Sequence, residues 1–202
     1  MRLIPALSAA LVLLLAACTS VTSTVEGYSV IPADLAPKTV HIAPGPGMSG
    51  DSLAWRSNAE SLAGVLAARG YASVPRGEAR LLARFSYAAG AAETERYPVR
   101  VPIQGIIGYE TREVREGVLQ TVPIRGTIGY RTEYETRTVY PRQISVTMRD
   151  ARSGQPVFEA SASSRDTCDR TDKVVALMLG AALKSFPEAQ SGRVTQTGDK
   201  AC

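Results

Sequence analysis

The chain has 202 residues, of which 45% are hydrophobic and 21% charged, and its formal net charge is +4. This composition is typical of a folded domain and excludes a wholly disordered, collagen-like or coiled-coil chain. The weak basic excess does not indicate nucleic-acid binding, and one histidine and three cysteines leave little for a His-based catalytic site or a Cys/His metal site. We therefore expect no metal and no cofactor.

The first 17 residues have the features of an export signal. Arg2 supplies a positive charge, and residues 4–17 are apolar apart from Ser8. This run is too short to cross a hydrocarbon layer of about 30 Å, which needs about 20 residues. A basic start followed by a short apolar segment and small residues predicts a signal peptide over residues 1–17.

The end of this segment, Leu15-Ala16-Ala17-Cys18, resembles the lipobox of bacterial lipoproteins. The resemblance implies cleavage before Cys18, acylation of Cys18 and a lasting membrane anchor through two or three acyl chains. In enterobacterial lipoproteins an Asp at the next position favours the inner membrane, so Thr19 implies the outer membrane, facing the periplasm. The alternatives are a soluble secreted protein cut after Ala17 and an uncleaved N-terminal helix.

The mature chain is expected to have three parts. Residues 18–37 are rich in Ser, Thr and Pro and predict a flexible tether, residues 38–187 a single domain, and residues 188–202 a disordered tail. Export into an oxidising compartment favours a disulfide between Cys168 and Cys202, and two separate thiols are the alternative.

Hydrophobic periodicity predicts two helices and about four core strands in the domain. The helices are expected over residues 51–69 and 169–186, and the strands over residues 39–43, 80–87, 143–149 and 157–163. This order predicts an α+β fold, with two helices on one face of a mainly antiparallel sheet.

An insertion over residues 88–142 interrupts this order and contains a duplication. Residues 101–111 recur as residues 122–132, with eight of eleven positions identical. Alternating Tyr/Thr and charged residues predict a long β-hairpin-like arm that reverses near Glu116-Gly117. We expect the glycines of the repeat to produce kinks or close backbone approach.

The arm is the candidate interaction surface because tyrosine is enriched in interfaces. The tyrosines considered are Tyr109, Tyr130, Tyr134 and Tyr140. Alternatively, the arm folds onto its own sheet, or it assembles copies of the chain into a structural oligomer through residues 97–141.

An enzymatic alternative would need His41 or the loop from Gly45 to Gly50, which fits the pattern G-x-G-x-x-G. The loop lies between a predicted strand and a predicted helix, as a dinucleotide site requires, but no further βαβ units follow. His41, the sole histidine, has no G-x-S-x-G motif to accompany it. We therefore assign no catalytic residue.

Four stretches together resemble the bacterial lipoproteins known as domain of unknown function 4136. They are residues 15–18, 62–71, 78–85 and 144–158. The resemblance implies an α+β envelope lipoprotein without assigned activity, and the duplicated arm departs from it. The expected function is that of a non-enzymatic, lipid-anchored binding or structural module with an envelope protein as its possible partner.

Overall fold

The computed structural model describes residues 19–198, which form two compact units. The first unit, which we call the body, comprises the described residues up to Ala91 and from Tyr140 onward. The second unit, the arm, comprises residues 92–139. The predicted signal peptide and Cys18 lie outside the described residues, as do residues 199–202.

Residues 19–198 form ten helices and strands besides a short 3₁₀ turn at Arg76–Glu78. They are β1 (Thr19–Ser29), β2 (Thr39–Pro44), α1 (Leu53–Ala67), β3 (Ala72–Ser73), β4 (Leu81–Ala89), β5 (Glu93–Arg115), β6 (Val118–Asp150), β7 (Pro156–Asp166), α2 (Thr171–Ala182) and β8 (Gly192–Gly198). The strand order of the body is β3-β2-β4-β6-β7-β1-β8. Only the pairings of β2 with β3 and β4 are parallel, so the sheet is mainly antiparallel.

The two helices bury apolar faces in one core with the sheet. Helix α1 begins after Ser52, whose hydroxyl accepts a hydrogen bond from the backbone N–H of Trp55 at 3.3 Å. It is followed by Gly70, whose φ of 83° suits the turn that leaves the helix. Helix α2 packs against α1, β1, β7 and β8. The predicted α+β class, two helices with a mainly antiparallel sheet, is thus confirmed.

The prediction of a flexible tether is wrong for residues 19–29, which form β1 in the interior of the sheet. This strand pairs with β7 on one side and β8 on the other. Val21, Ser23 and Val25 are buried and alternate with exposed residues. The Ser/Thr-rich composition concealed this alternation, because the inward positions between and beyond the two valines are occupied by Ser23 and Gly27, which are typical of loops.

The C-terminal segment is also more ordered than its composition suggested. Residues 192–198 form β8, in which Val194 is buried and the hydroxyl of Thr195 lies 2.9 Å from that of Thr22 on β1. The prediction of a disordered tail is therefore wrong for β8. Cys202 lies outside the described residues, so its disulfide with Cys168 stays a prediction. Cys168 itself is buried within the connection between β7 and α2.

The insertion is slightly shorter than predicted, because strand β4 and the body part of β6 continue pairing as far as Ala89 and Arg142. The arm proper covers residues 92–139 rather than 88–142. Between residues 19 and 198, no helix is both long enough and apolar enough to span a membrane.

Candidate interaction surface

The arm is a two-stranded antiparallel ribbon formed by β5 and the first part of β6. Pairing extends from Glu93 opposite Val139 to Arg115 opposite Val118. The chain reverses at the predicted position, where Gly117 has a φ of 76° that favours glycine. Within the described residues no third strand joins either edge of this ribbon.

The two copies of the repeat pair with each other around a central glycine pair, Gly105 opposite Gly126. On one side of this pair Ile103 lies opposite Gly129, and on the other Ile124 lies opposite Gly108. In both pairs, the third residue of one copy lies opposite the eighth residue of the other copy. The ribbon therefore has an approximate two-fold axis, normal to its plane, through the central glycine pair.

A β-bulge interrupts the ladder once in each copy, at equivalent positions. Ile107 and Ile128, the seventh residues of the two copies, have no partner in the register. A Cβ atom added to Gly105 would lie 2.5 Å from the Ile128 side chain, and one added to Gly126 would lie 2.6 Å from the Ile107 side chain. Each isoleucine thus lies over the glycine of the other copy. The close approach at Gly105 and Gly126 is made by a side chain rather than by backbone, and Gly129 has no atom within 4 Å of an added Cβ.

Strand alternation gives the central part of the arm one face made of aliphatic side chains. Ile107 and Ile128 remain 59% and 58% exposed on this surface. We call it the aliphatic face, and it consists of Val101, Ile103, Ile107, Val122, Ile124 and Ile128.

The opposite face carries three of the predicted tyrosines. Tyr109, Tyr130 and Tyr134 are 67%, 57% and 58% exposed. The guanidinium groups of Arg96 and Arg100 lie over the rings of Tyr134 and Tyr130, 4.6 and 4.5 Å from their centroids. These contacts orient the rings and leave much of their surface open to solvent.

Tyr140, the fourth predicted tyrosine, belongs to the body rather than to the arm. It is half-buried, pairs with Asp166 on β7, and lies under the guanidinium of Arg142 at 5.5 Å. Its grouping with the other three tyrosines is therefore wrong, because the β6–β7 ladder already includes it.

Polar pairs stabilise the base of the arm. Arg137 forms an ion pair with Glu95 at 2.7 Å, and the hydroxyl of Tyr97 donates to Glu135 at 2.8 Å. The hydrogen bond to Glu135 raises the pKa of Tyr97 above its ordinary value. Such exposed cross-strand pairs are weak because water screens them, so they define register more than they stabilise the fold.

The residues of the enzymatic alternative lie in the body. The Nδ1 atom of His41 is 3.2 Å from the carbonyl oxygen of Val74. His41 lines a cavity of about 250 Å³ together with Arg76, Arg84 and Arg149. Among the described residues that line it there is no Asp or Glu side chain, so the cavity does not pair His41 with a carboxylate.

The loop from Gly45 to Gly50 forms its own turn before α1. The backbone N–H of Gly45 donates to the carbonyl of Phe85 at 2.8 Å, and that of Met48 donates to the carbonyl of Gly45 at 3.1 Å. These two donors are therefore already engaged. No group of His, Cys, Asp and Glu side chains within residues 19–198 is arranged to hold a metal ion.

One buried polar cluster next to Cys168 had no signal in the sequence. The side chain of Arg142 is buried and donates to the carbonyl of Cys168 at 2.6 Å and to Asp166 at 3.3 Å. Asp166 in turn accepts from the backbone N–H of Cys168 at 3.0 Å. This cluster joins β6 to the β7–α2 connection and has a structural role.

No protein-family model and no curated protein matches the chain. Among solved structures, the chain is similar to a PDZ domain protein from Parabacteroides distasonis, with 11% identity and a TM-score of 0.48 over 89% of this chain and 39% of that chain. It is also similar to the PelC dodecamer from Paraburkholderia phytofirmans, with 14% identity and a TM-score of 0.44 over 83% of this chain and 99% of that chain. The chain thus spans well under half of the first of these proteins and nearly all of the second.

Proposed function

We propose that the protein is a non-enzymatic lipoprotein of the bacterial envelope that uses its arm to bind or assemble with another protein. The anchor is the acylated Cys18, supported by the lipobox-like sequence and the export signal before it. The body holds the arm on β6, which runs without interruption from one unit into the other. The membrane is the outer membrane, with the protein on its periplasmic side.

A single observation carries the interaction role: the ribbon has large apolar side chains exposed on both of its faces. A two-stranded hairpin is only marginally stable in water on its own. Contiguous exposed apolar surface on a protein outside the membrane marks a site where something else binds. The exposed isoleucines and tyrosines of the arm satisfy this description far better than the scattered apolar residues of the body do.

Photo-crosslinking in intact cells tests the interaction role. A photoreactive phenylalanine analogue replaces Tyr109 or Tyr130 on the arm, or Tyr28 on the body as the matched control, since all three rings are exposed. We expect covalent adducts of defined mass from the arm positions and none from Tyr28. Absence of adducts from Tyr109 and Tyr130 on one face of the arm and from Ile128 on the other, with the protein present at its normal level, would contradict the proposal.

Fatty-acid labelling tests the anchor separately. The chain with native Cys18 should incorporate a fatty-acid analogue and fractionate with membranes, whereas Cys18→Ala should do neither. Labelling that persists in Cys18→Ala would place the modification elsewhere and remove the basis for the anchor.

A further inference from the structure

We infer that the arm binds a second copy of this chain, with the two aliphatic faces packed together and the two arms running in opposite directions. This inference rests on the proposed function and adds the identity of the partner. Its evidence is the way in which the two repeat copies differ.

A symmetric dimer needs a surface that is complementary to itself. The approximate two-fold axis of the arm places equivalent aliphatic residues on both sides of the Gly105–Gly126 pair. Two such faces can therefore be stacked with the arms parallel or antiparallel, and the aliphatic contacts are nearly the same in both cases. The aliphatic residues alone favour self-association without selecting an orientation.

The charged residues that flank the aliphatic face select the orientation. The tenth residue of the repeat is Glu110 in the first copy and Arg131 in the second. Glu110 pairs with Val122, and Arg131 pairs with Val101. Because directly opposed residues project to the same side of a ribbon, both charges lie on the aliphatic face, one at each end.

Two residues further along each strand, the two copies again carry opposite charges, but with the signs exchanged between the copies. Arg112 follows the first copy and Glu133 follows the second. Residues two apart on a strand share a face, and Arg131 indeed forms an ion pair with Glu133 at 2.7 Å. One end of the aliphatic face therefore carries Glu110 followed by Arg112. The other end carries Arg131 followed by Glu133.

In a parallel stack, like charges would meet at both ends, because Glu110 would lie beside the partner's Glu110 and Arg131 beside the partner's Arg131. In an antiparallel stack, Glu110 lies beside the partner's Arg131, and Arg112 lies beside the partner's Glu133. Like charges across an interface are disfavoured and opposite charges fix its register. The charge reversal between otherwise near-identical repeat copies thus matches a second copy in the antiparallel orientation.

Charge-reversal variants of the full chain test this arrangement, with Cys18→Ser included in all of them so that the exported protein is not acylated. In Glu110→Arg the tenth residue of both repeat copies is arginine, and in Arg131→Glu it is glutamate in both copies. Sedimentation velocity should show that the parent chain self-associates and that each variant alone dissociates at about tenfold or more higher concentration. An equimolar mixture of the two should associate again, since the basic tenth positions of one variant then meet the acidic tenth positions of the other.

The double variant Glu110→Arg, Arg131→Glu should also associate as the parent does, because both contacts are restored with opposite polarity. Arg125→Glu is the matched control, as Arg125 pairs with Ile106 on the opposite face of the same arm, and it should leave self-association unchanged. A parent chain that remains monomeric at millimolar concentration would overturn the inference. The inference would also be overturned if the mixture associated no more tightly than the single variants do. The same holds if Arg125→Glu weakened self-association as much as the charge reversals on the aliphatic face.

Crosslinking from the aliphatic face separates failure of this inference from failure of the proposed function. A photoreactive residue at Ile128 should yield an adduct of twice the chain mass. An adduct with a different protein and no self-adduct would refute the second copy as partner and leave the proposed role of the arm intact. Absence of any adduct from Ile128, Tyr109 and Tyr130 would refute both.

Discussion

Within residues 19–198, Asp150 is the carboxylic acid with the most strongly lowered pKa. Its carboxylate accepts hydrogen bonds from the backbone N–H groups of Ser153 at 2.9 Å and Arg152 at 2.8 Å, and it pairs with the guanidinium of Arg80. The Ser153 N–H, the Arg80 side chain and the Arg152 N–H together lower the pKa of Asp150 from 3.8 to about 2, despite partial burial that acts in the opposite direction.

This lowered pKa predicts a pH-dependent contribution to stability. A carboxylate whose pKa falls on folding stabilises the native state fully above its unfolded pKa of 3.8, and the contribution is lost as the pH falls toward about 2. We expect Asp150→Asn to lower the free energy of unfolding at pH 7 and the difference from the parent chain to shrink between pH 5 and pH 2.5. Urea unfolding across this range measures it, and a difference that stays constant would contradict the assignment.

The surroundings of individual side chains were the hardest feature to predict from the sequence. Arg142 precedes a recognisable alternating strand, and an arginine at such a position is normally exposed. It is buried because Asp166, Thr171 and the carbonyl of Cys168 converge on it from segments distant in sequence. No local pattern carries that information, whereas the reversal at Glu116-Gly117 was predictable from turn chemistry.

At the scale of elements, the reciprocal isoleucine–glycine packing of the arm can be tested by adding one methyl group. Gly105→Ala and Gly126→Ala place a Cβ atom at 2.5–2.6 Å from an isoleucine. Because these isoleucines are more than half exposed and can shift, we expect a local destabilisation of the ribbon of about 1 kcal/mol, at the low end of the cost of overpacking. Gly129→Ala is the control, because no atom lies within 4 Å of its added Cβ. Since alanine is otherwise better than glycine in a strand, this control should be neutral or stabilising.

Amide hydrogen exchange in the arm measures the difference. Protection should fall in the two central variants and stay equal or rise in Gly129→Ala, and Ile128→Val should partly restore protection to Gly105→Ala. Uniform behaviour of all three alanine variants would show that the isoleucines do not lie over the glycines.

Helices and strands with strong periodicity were predicted to within a few residues. Helix α1 was expected over residues 51–69 and covers Leu53–Ala67, and α2 was expected over 169–186 and covers Thr171–Ala182. The pairing of the two repeat copies also follows from their positions on either side of the reversal. The positions of the bulges did not follow, because a shift of one residue depends on how side chains pack across the strands.

For the whole molecule, the sequence predicted the fold class but not the extent of the body. The first and last strands, β1 and β8, pair with each other from opposite ends of the chain. Composition classed both as flexible, because Ser, Thr and Gly are typical of linkers. They join the sheet through pairing between residues far apart in sequence, and a short window of sequence contains no information on such pairing.

The position of β1 changes what the proposed anchor would do. Strand β1 begins at Thr19, directly after Cys18, so the sheet would start next to the membrane surface, without a flexible spacer. On vesicles carrying the acylated protein, we expect a broad-specificity protease to release little of the folded protein. Insertion of ten Gly/Ser residues between Cys18 and Thr19 should make release rapid, and rapid release of the parent protein would contradict this close attachment.

The duplication also has a consequence for how the length of the arm can change. Residues 93–100 pair with residues 132–139, outside the contact between the repeat copies. Loss of residues 101–121 would therefore leave the pairing of residues 93–100 with residues 132–139 in place. The remaining repeat copy would connect these two strands as an ordinary loop. Any later change in copy number would lengthen or shorten the projection while leaving the rest of the fold untouched.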